Sequence, residues 1–146
     1  MAIRTNTAQG YRKEKSMIGL VLVAHAGLAT ALKASCEMIV GPIENCAVVE
    51  VAPGERADDI MASIVAAVGS GQSGETIIMT DLFGGTPSNM AMSFLKDGCV
   101  EVITGVNLPM LMEFCSKRGR MTVAELAVTL QRCGRDGIIV AGELLK

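Results

Sequence analysis

The chain has 146 residues; half of them are hydrophobic, 3% are aromatic, and the formal net charge is −2. This length suits a single domain with a substantial core. With no tryptophan, one tyrosine and three phenylalanines, the chain lacks the rings on which nucleic-acid modules stack bases. Basic residues concentrate at the start, so the acidic remainder would repel nucleic acid and favour a basic protein partner.

Residues 1–16 form a basic N-terminal segment that precedes an apolar run. This order imitates the beginning of a signal peptide. However, the apolar stretch over 17–32 is shorter than a membrane span and is interrupted by His25. We therefore expect residues 1–16 to be a tag or a disordered extension, and residues 17–146 to form one cytoplasmic domain.

The cysteines are odd in number and form no CxxC pair, and the chain has a single histidine. A disulfide framework and a zinc site are both unexpected for such a set. We expect free thiols in a reducing cytoplasm, and neither a metal nor a cofactor. The five are Cys36, Cys46, Cys99, Cys115 and Cys133.

Apolar runs of strand length alternate with helical patterns from residue 17 onwards. The predicted strands are 17–24, 46–52, 76–80, 99–105 and 137–142. The predicted helices are 28–40, a segment around 60–69, 88–95, 108–118 and 123–133. Asn107 is placed to cap the fourth helix, and Thr122 with Glu125 form a capping box before the fifth. The alternation predicts an α/β fold with a mainly parallel sheet, and the continuous apolar runs indicate strands covered on both faces.

Chemically useful side chains follow three of these strands. His25 follows the first strand, Asp81 the third and Asn107 the fourth. Ligands of parallel sheets bind at the carboxyl ends of strands, so these loops converge if the strands are adjacent. A carboxylate at one ring N–H would fix the imidazole tautomer and leave the other nitrogen free to react.

The loop after Asp81 has the composition of an anion site. Gly84 and Gly85 bring backbone N–H groups close together, and a helix begins near Thr86. Backbone amides and the positive end of a helix stabilise phosphate. The Thr86 hydroxyl is placed to cap that helix, to donate to a phosphate oxygen, or to do both. The combination suits phosphoryl transfer to histidine.

Structural interpretations of the same residues stay open. A histidine at a strand end can serve only in hydrogen bonding, Asp81 can cap its own loop, and paired glycines need no ligand. Other chemistries fit less well. The chain has no P-loop or GxGxxG motif. A histidine phosphatase would need an arginine before the nucleophile, where Ala24 stands, and a second histidine.

The segments LVLVAHAGLA, TDLFGGTPSNMA and VITGVNLPMLME together resemble the enzyme IIA component of the mannose class of the bacterial sugar phosphotransferase system. The resemblance implies a doubly wound, three-layer α/β/α fold. Its sheet would have four parallel strands and a C-terminal antiparallel strand, which is exchanged between the subunits of a homodimer.

The resemblance also implies a function. His25 would accept a phosphoryl group through Nε2 from the phosphocarrier protein HPr and pass it to a separate IIB protein for sugar uptake. Asp81 would hold the other ring nitrogen, and Gly84, Gly85 and Thr86 would stabilise the phosphate. Contact with the membrane would be indirect, through the transporter complex. The sugar cannot be predicted, because the carrier never touches it.

The sequence departs from the family pattern at three positions near the site. Thr86 stands where serine is usual, Ala26 where glycine is usual, and Ala24 where a hydroxyl is frequent. Despite these departures, we expect His25 to accept a phosphoryl group, with a rate of transfer that differs from that of other family members. A regulatory phosphoacceptor or binding module without a transport role is the alternative function.

A protein donor needs a docking surface beside the histidine. We expect apolar residues at the mouth of the sheet to supply it, although the methionines among them would also suit the core. The predicted docking residues are Met38, Phe83, Asn107, Leu108 and Met110.

Overall fold

The computed structural model of the chain describes residues 17–71 and 73–146. The predicted extension 1–16 lies outside these described residues. The strands are β1 (Gly19–His25), β2 (Cys46–Val51), β3 (Thr76–Thr80) and β4 (Val100–Thr104). The helices are α1 (Leu28–Val40), α2 (Ala57–Gly69), α3 (Thr86–Met92), α4 (Leu108–Lys117) and α5 (Val123–Asp136), followed by a short 3-10 helix (Ala141–Leu145).

The four strands form one parallel sheet in the order β2-β1-β3-β4. Helices cover both faces, each over its own hydrophobic cluster. One cluster joins the sheet to α1, α4 and α5, and the other joins it to α2 and α3. This confirms the predicted doubly wound, three-layer α/β/α architecture. The chain order reverses between β1 and β3, which places the switch point of the sheet at these two central strands.

Side chains along β1 alternate between the two faces of the sheet. Leu20, Leu22 and Ala24 pack in the cluster beneath α1, α4 and α5, whereas Val21 and Val23 pack beneath α2 and α3. His25 is two residues beyond Val23 and ends the strand. The period of two therefore turns its side chain toward the α2 and α3 face.

Local signals set most helix ends. The side chain of Asn107 caps α4, because Oδ1 accepts from the Met110 N–H at 3.1 Å. The predicted capping box before α5 is present: Thr122 Oγ1 accepts from the Glu125 N–H, and Glu125 Oε2 accepts from the Thr122 N–H at 2.9 Å. The third helix begins at Thr86, two residues earlier than predicted.

The predicted fifth strand over 137–142 is wrong for the single chain. The backbone N–H groups of Gly137 and Ile138 close the last turn of α5 by donating to Cys133 and Arg135 carbonyls. Within the described residues, the segment that follows pairs with no strand and leads into the 3-10 helix. An apolar strand needs a neighbouring strand for its hydrogen bonds, and none of the described strands lies alongside this segment. Exchange of this segment between subunits stays a prediction.

No helix within residues 17–71 and 73–146 combines the length and apolar character that crossing a bilayer requires.

Candidate functional site

The site is centred on a contact between His25, the last residue of β1, and Asp81, which follows β3. Asp81 Oδ2 lies 2.8 Å from His25 Nδ1 and accepts a 3.0 Å hydrogen bond from the His25 backbone N–H. An ionised carboxylate only accepts hydrogen bonds, so Nδ1 carries the ring proton. The lone pair of Nε2 is therefore the one available for chemistry.

The two members of the pair differ in exposure. The His25 side chain is 48% exposed and the Asp81 side chain 12%. Burial raises the pKa of Asp81, but hydrogen bonds from the backbone and ring of His25 outweigh it, so the pKa lies below its ordinary value. The second carboxylate oxygen, Oδ1, is buried and has no hydrogen-bond partner within the described residues. Asp81 is thus an ionised group directed at one imidazole.

The glycine loop lies against the imidazole. A Cβ atom at Gly85 would be 3.3 Å from His25 Cε1 and 3.9 Å from Nε2. The first distance is tighter than ordinary van der Waals contact, so a side chain at Gly85 would have to displace the ring or the loop by a few tenths of an ångström. The loop that is predicted to hold phosphate therefore lies against the edge of the ring formed by Cε1 and Nε2.

Gly84 and Gly85 have different roles in this loop. Gly84 has a φ of +84°, a backbone conformation that favours glycine. Its N–H donates to Ser88 Oγ at 2.9 Å, so this predicted phosphate donor is already paired. Across the described residues, no acceptor is found for the N–H groups of Gly85 and Thr86. These two amides are therefore available as hydrogen-bond donors.

Thr86 and Ala26 are two of the departures from the family pattern, and the structure shows what each does. Thr86 is exposed and is the first residue of α3; Gly85 occupies the cap position and no side chain caps the helix. The predicted capping role of the Thr86 hydroxyl is therefore wrong, and the phosphate role stays a prediction. Ala26 has a φ of +51°, a left-handed conformation that costs a residue with Cβ more than glycine.

The predicted docking residues do not form one exposed group. Phe83 is 72% exposed and lies two residues after Asp81. Met38 is 90% exposed, but it lies ten residues along α1 from Leu28, about 15 Å from the helix start beside His25.

The remaining docking residues belong to the start of α4 and are partly or fully covered. Met110 is buried, which makes its docking role wrong and its core role correct. Leu108 is half-buried against the same core cluster. Asn107 caps α4 and also donates to the Gly134 carbonyl at 2.8 Å. Gly134 also lies close to Met110, since a Cβ at Gly134 would be 2.7 Å from Met110 Cε.

One residue of the site was not predicted. Ser88 is fully buried in the first turn of α3, and its hydroxyl contacts both glycines of the loop. Its position after Thr86-Pro87 is the only signal in the sequence, and that signal does not show where the hydroxyl points. In the part of the chain that the structure describes, no group of three or more His, Cys, Asp or Glu side chains could hold a metal ion.

Fold and site together define a doubly wound α/β protein with a histidine–aspartate pair at the switch point of its sheet. Comparison with known families makes this specific, because residues 19–131 match the family described as the PTS system fructose IIA component. The chain therefore belongs to the mannose-class enzyme IIA family, and it is an IIA component of the sugar phosphotransferase system.

Individual relatives agree with this assignment. The chain is 36% identical over 114 residues to the sorbose-specific EIIA component of Lacticaseibacillus casei, covering 77% of this chain and 83% of the relative. It is 31% identical over 132 residues to the fructose-specific EIIA component of Bacillus subtilis, covering 89% and 90%. Among solved structures, the phosphotransferase system component EIIA from Streptococcus agalactiae superposes with a TM-score of 0.80 at 27% identity, covering 87% of this chain and 99% of that one.

Proposed function

We propose that this protein is a phosphoryl carrier that accepts phosphate from phospho-HPr on His25 Nε2 and passes it to a separate IIB protein. The observation that carries the proposal is the 2.8 Å contact between His25 Nδ1 and Asp81 Oδ2. It holds the proton on one ring nitrogen and leaves the other as a nucleophile that is partly exposed to a partner.

The transfer exchanges one phosphorus–nitrogen bond for another. The bond to the donor histidine of HPr breaks as the bond to His25 Nε2 forms, and the donor nitrogen retains the electron pair. His25 loses no proton in this step. Positive charge that develops on its ring is balanced by the Asp81 carboxylate, whose lowered pKa keeps it ionised.

The loop beside the ring would stabilise the transferred group. The N–H groups of Gly85 and Thr86 are unpaired within the described chain, and Gly85 itself lies against the Cε1–Nε2 edge of the imidazole. Donors fixed in place before the reaction stabilise a phosphoryl group without reorganising during it. The exposed side chains of Leu82 and Phe83, which adjoin Asp81, offer apolar area for a docking protein in the cytoplasm.

A phosphorylation assay tests the proposal. The full chain is incubated with phosphoenolpyruvate, enzyme I and HPr, and is compared with His25→Ala. We expect acid-labile phosphate on the wild type and none on the variant. Equal labelling of the two proteins would overturn the proposal.

A second experiment distinguishes the carrier from the alternative function, a regulatory phosphoacceptor without a transport role. Purified phosphorylated protein is mixed with a mannose-class IIB protein. Rapid loss of phosphate from His25 and its appearance on IIB support the carrier. Retention of the label in the presence of several IIB proteins favours regulation.

We also propose that residues 17–146 act as one domain and that two copies associate through their C-terminal segments. Ile138, Ile139 and Val140 are 77%, 62% and 63% exposed. Among the described strands, β4 has a neighbour in the sheet on one side only. Pairing this segment with a second copy would bury its apolar side chains and give the open edge of β4 hydrogen-bond partners. Light scattering at micromolar concentration should show a dimer that weakens when residues 137–146 are deleted. A monomeric full-length protein would refute this.

A further inference from the structure

We infer that Ser88 is a positioning residue, which orients the peptide between Gly84 and Gly85 so that the Gly85 N–H faces the phosphoryl group on His25. The inference rests on the proposed function and deepens it. Of the two glycine amides, it assigns the anion-binding role to that of Gly85, and it assigns the control of this amide to one buried hydroxyl.

The Ser88 hydroxyl holds the loop on both sides of this peptide. Its side chain is fully buried. Oγ accepts from the Gly84 N–H at 2.9 Å and donates to the Gly85 carbonyl at 3.0 Å. A pair of adjacent glycines has more conformational freedom than any other pair of residues. One hydroxyl therefore restricts the most flexible part of the loop.

The orientation of the peptide follows from its planarity. The Gly84 carbonyl is on the side of Asn89, whose Nδ2 lies 3.5 Å away. In a trans peptide the C=O and N–H bonds point in opposite directions. The Gly85 N–H therefore points away from α3, and Gly85 itself lies against the Nε2 side of the imidazole.

The same contacts explain why only one glycine amide would bind phosphate. The Gly84 N–H is consumed by Ser88 Oγ, whereas the Gly85 N–H has no acceptor within the described residues. Without the hydroxyl, Gly84 is freed and the Gly84–Gly85 peptide can rotate. The transferred phosphoryl group would then meet a mobile donor.

Nuclear magnetic resonance of the wild type tests the assignment without any substitution. On phosphorylation by phosphoenolpyruvate, enzyme I and HPr, the Gly85 amide proton should shift strongly downfield and the Gly84 amide proton only slightly. A larger shift at Gly84 than at Gly85 would overturn the inference. Failure of His25 to become phosphorylated at all would instead overturn the proposed function.

Substitution tests the role of Ser88. Ser88→Ala should slow phosphorylation of His25 by about tenfold or more, since small displacements of a positioning group cost this much, and should change the ³¹P chemical shift of the phosphohistidine. Ser88→Cys keeps a group that can donate and accept at this position, but its larger sulfur forms weaker hydrogen bonds. Its rate should therefore fall between those of Ser88→Ala and the wild type.

The matched control is Ser93→Ala, which removes the other serine hydroxyl of this helical segment. Ser93 Oγ donates to the Met90 carbonyl at 2.7 Å and lies at the opposite end of α3 from the loop. We expect wild-type transfer and an unchanged ³¹P shift. A Ser88→Ala protein with the same rate and ³¹P shift as Ser93→Ala would refute the positioning role.

Discussion

A single oxygen of Asp81 contacts His25 at two places, the ring Nδ1 at 2.8 Å and the backbone nitrogen at 3.0 Å. The carboxylate therefore fixes both the end of β1 and the rotation of the imidazole that the strand carries. Removing it would disturb the ring tautomer and the ring position together, which makes Asp81 the most informative side chain to change.

We predict that Asp81→Asn folds and transfers phosphate slowly. The new amide can donate to Nδ1 and move the ring proton to Nε2, the nitrogen that must react. Loss of tautomer control costs about one to four powers of ten in a comparable arrangement of catalytic groups. Rapid-quench measurement of transfer from phospho-HPr gives the rate. Asp97→Asn, on an exposed turn, is the control, and equal rates for the two variants would contradict the prediction.

The lowered pKa of Asp81 predicts a stability difference that depends on pH. A carboxyl with a lower pKa in the folded than in the unfolded state stabilises the fold above the unfolded value, about 3.9, and loses this contribution as pH falls through the folded value. The free energy of unfolding in urea should therefore differ between wild type and Asp81→Asn at neutral pH. That difference should narrow as pH falls below about 4, where the carboxyl becomes protonated. A difference in the free energy of unfolding that grows on acidification would disprove this prediction.

The two loop glycines should respond differently to alanine. Gly84→Ala forces a Cβ into a left-handed backbone and should cost about 1–2 kcal/mol of stability. Gly85→Ala has no such strain, since its φ is −80°, but it pushes on the ring of His25. We expect transfer to slow in Gly85→Ala while stability changes less than in Gly84→Ala. Chemical denaturation and transfer rates measured on both proteins decide the matter; the reverse order of stabilities would be inconsistent with the structure.

Phe83 should contribute to binding of the phosphoryl donor. It is 72% exposed and adjoins the site, so Phe83→Ala removes apolar contact area from the surface without opening the core. The KM for phospho-HPr should rise several-fold, and the unfolding midpoint should stay within error. Leu95→Ala, which removes an exposed side chain beyond the far end of α3, is the control. An unchanged KM in Phe83→Ala would remove Phe83 from the docking surface.

The sequence predicts features that depend on short stretches of chain. The bounds of α1 and the capping box of α5 agree with prediction because their signals lie within a few residues of the ends they set. The proximity of His25 and Asp81 was also predictable, since the carboxyl ends of parallel strands meet at one edge of a sheet.

Features that depend on distant packing were not predictable. The burial of Met110 follows from the close approach of Gly134, which is 24 residues away in the chain. The hydrogen bonds of Ser88 depend on the backbone conformation of Gly84, and a serine hydroxyl has many other possible partners. The segment 137–142 has strand composition, but its backbone conformation depends on whether a strand lies beside it.

The alternation of side chains along β1 makes the length of this strand as important as its composition. Inserting or deleting one residue between Gly19 and Ala24 would turn His25 from the face of α2 and α3 to the face of α1, away from Gly85 and its amide. Apolar residues of similar volume could replace one another within the strand without moving the imidazole. The number of residues from the start of β1 to His25 must therefore be kept, whereas the identity of the apolar residues between them can change.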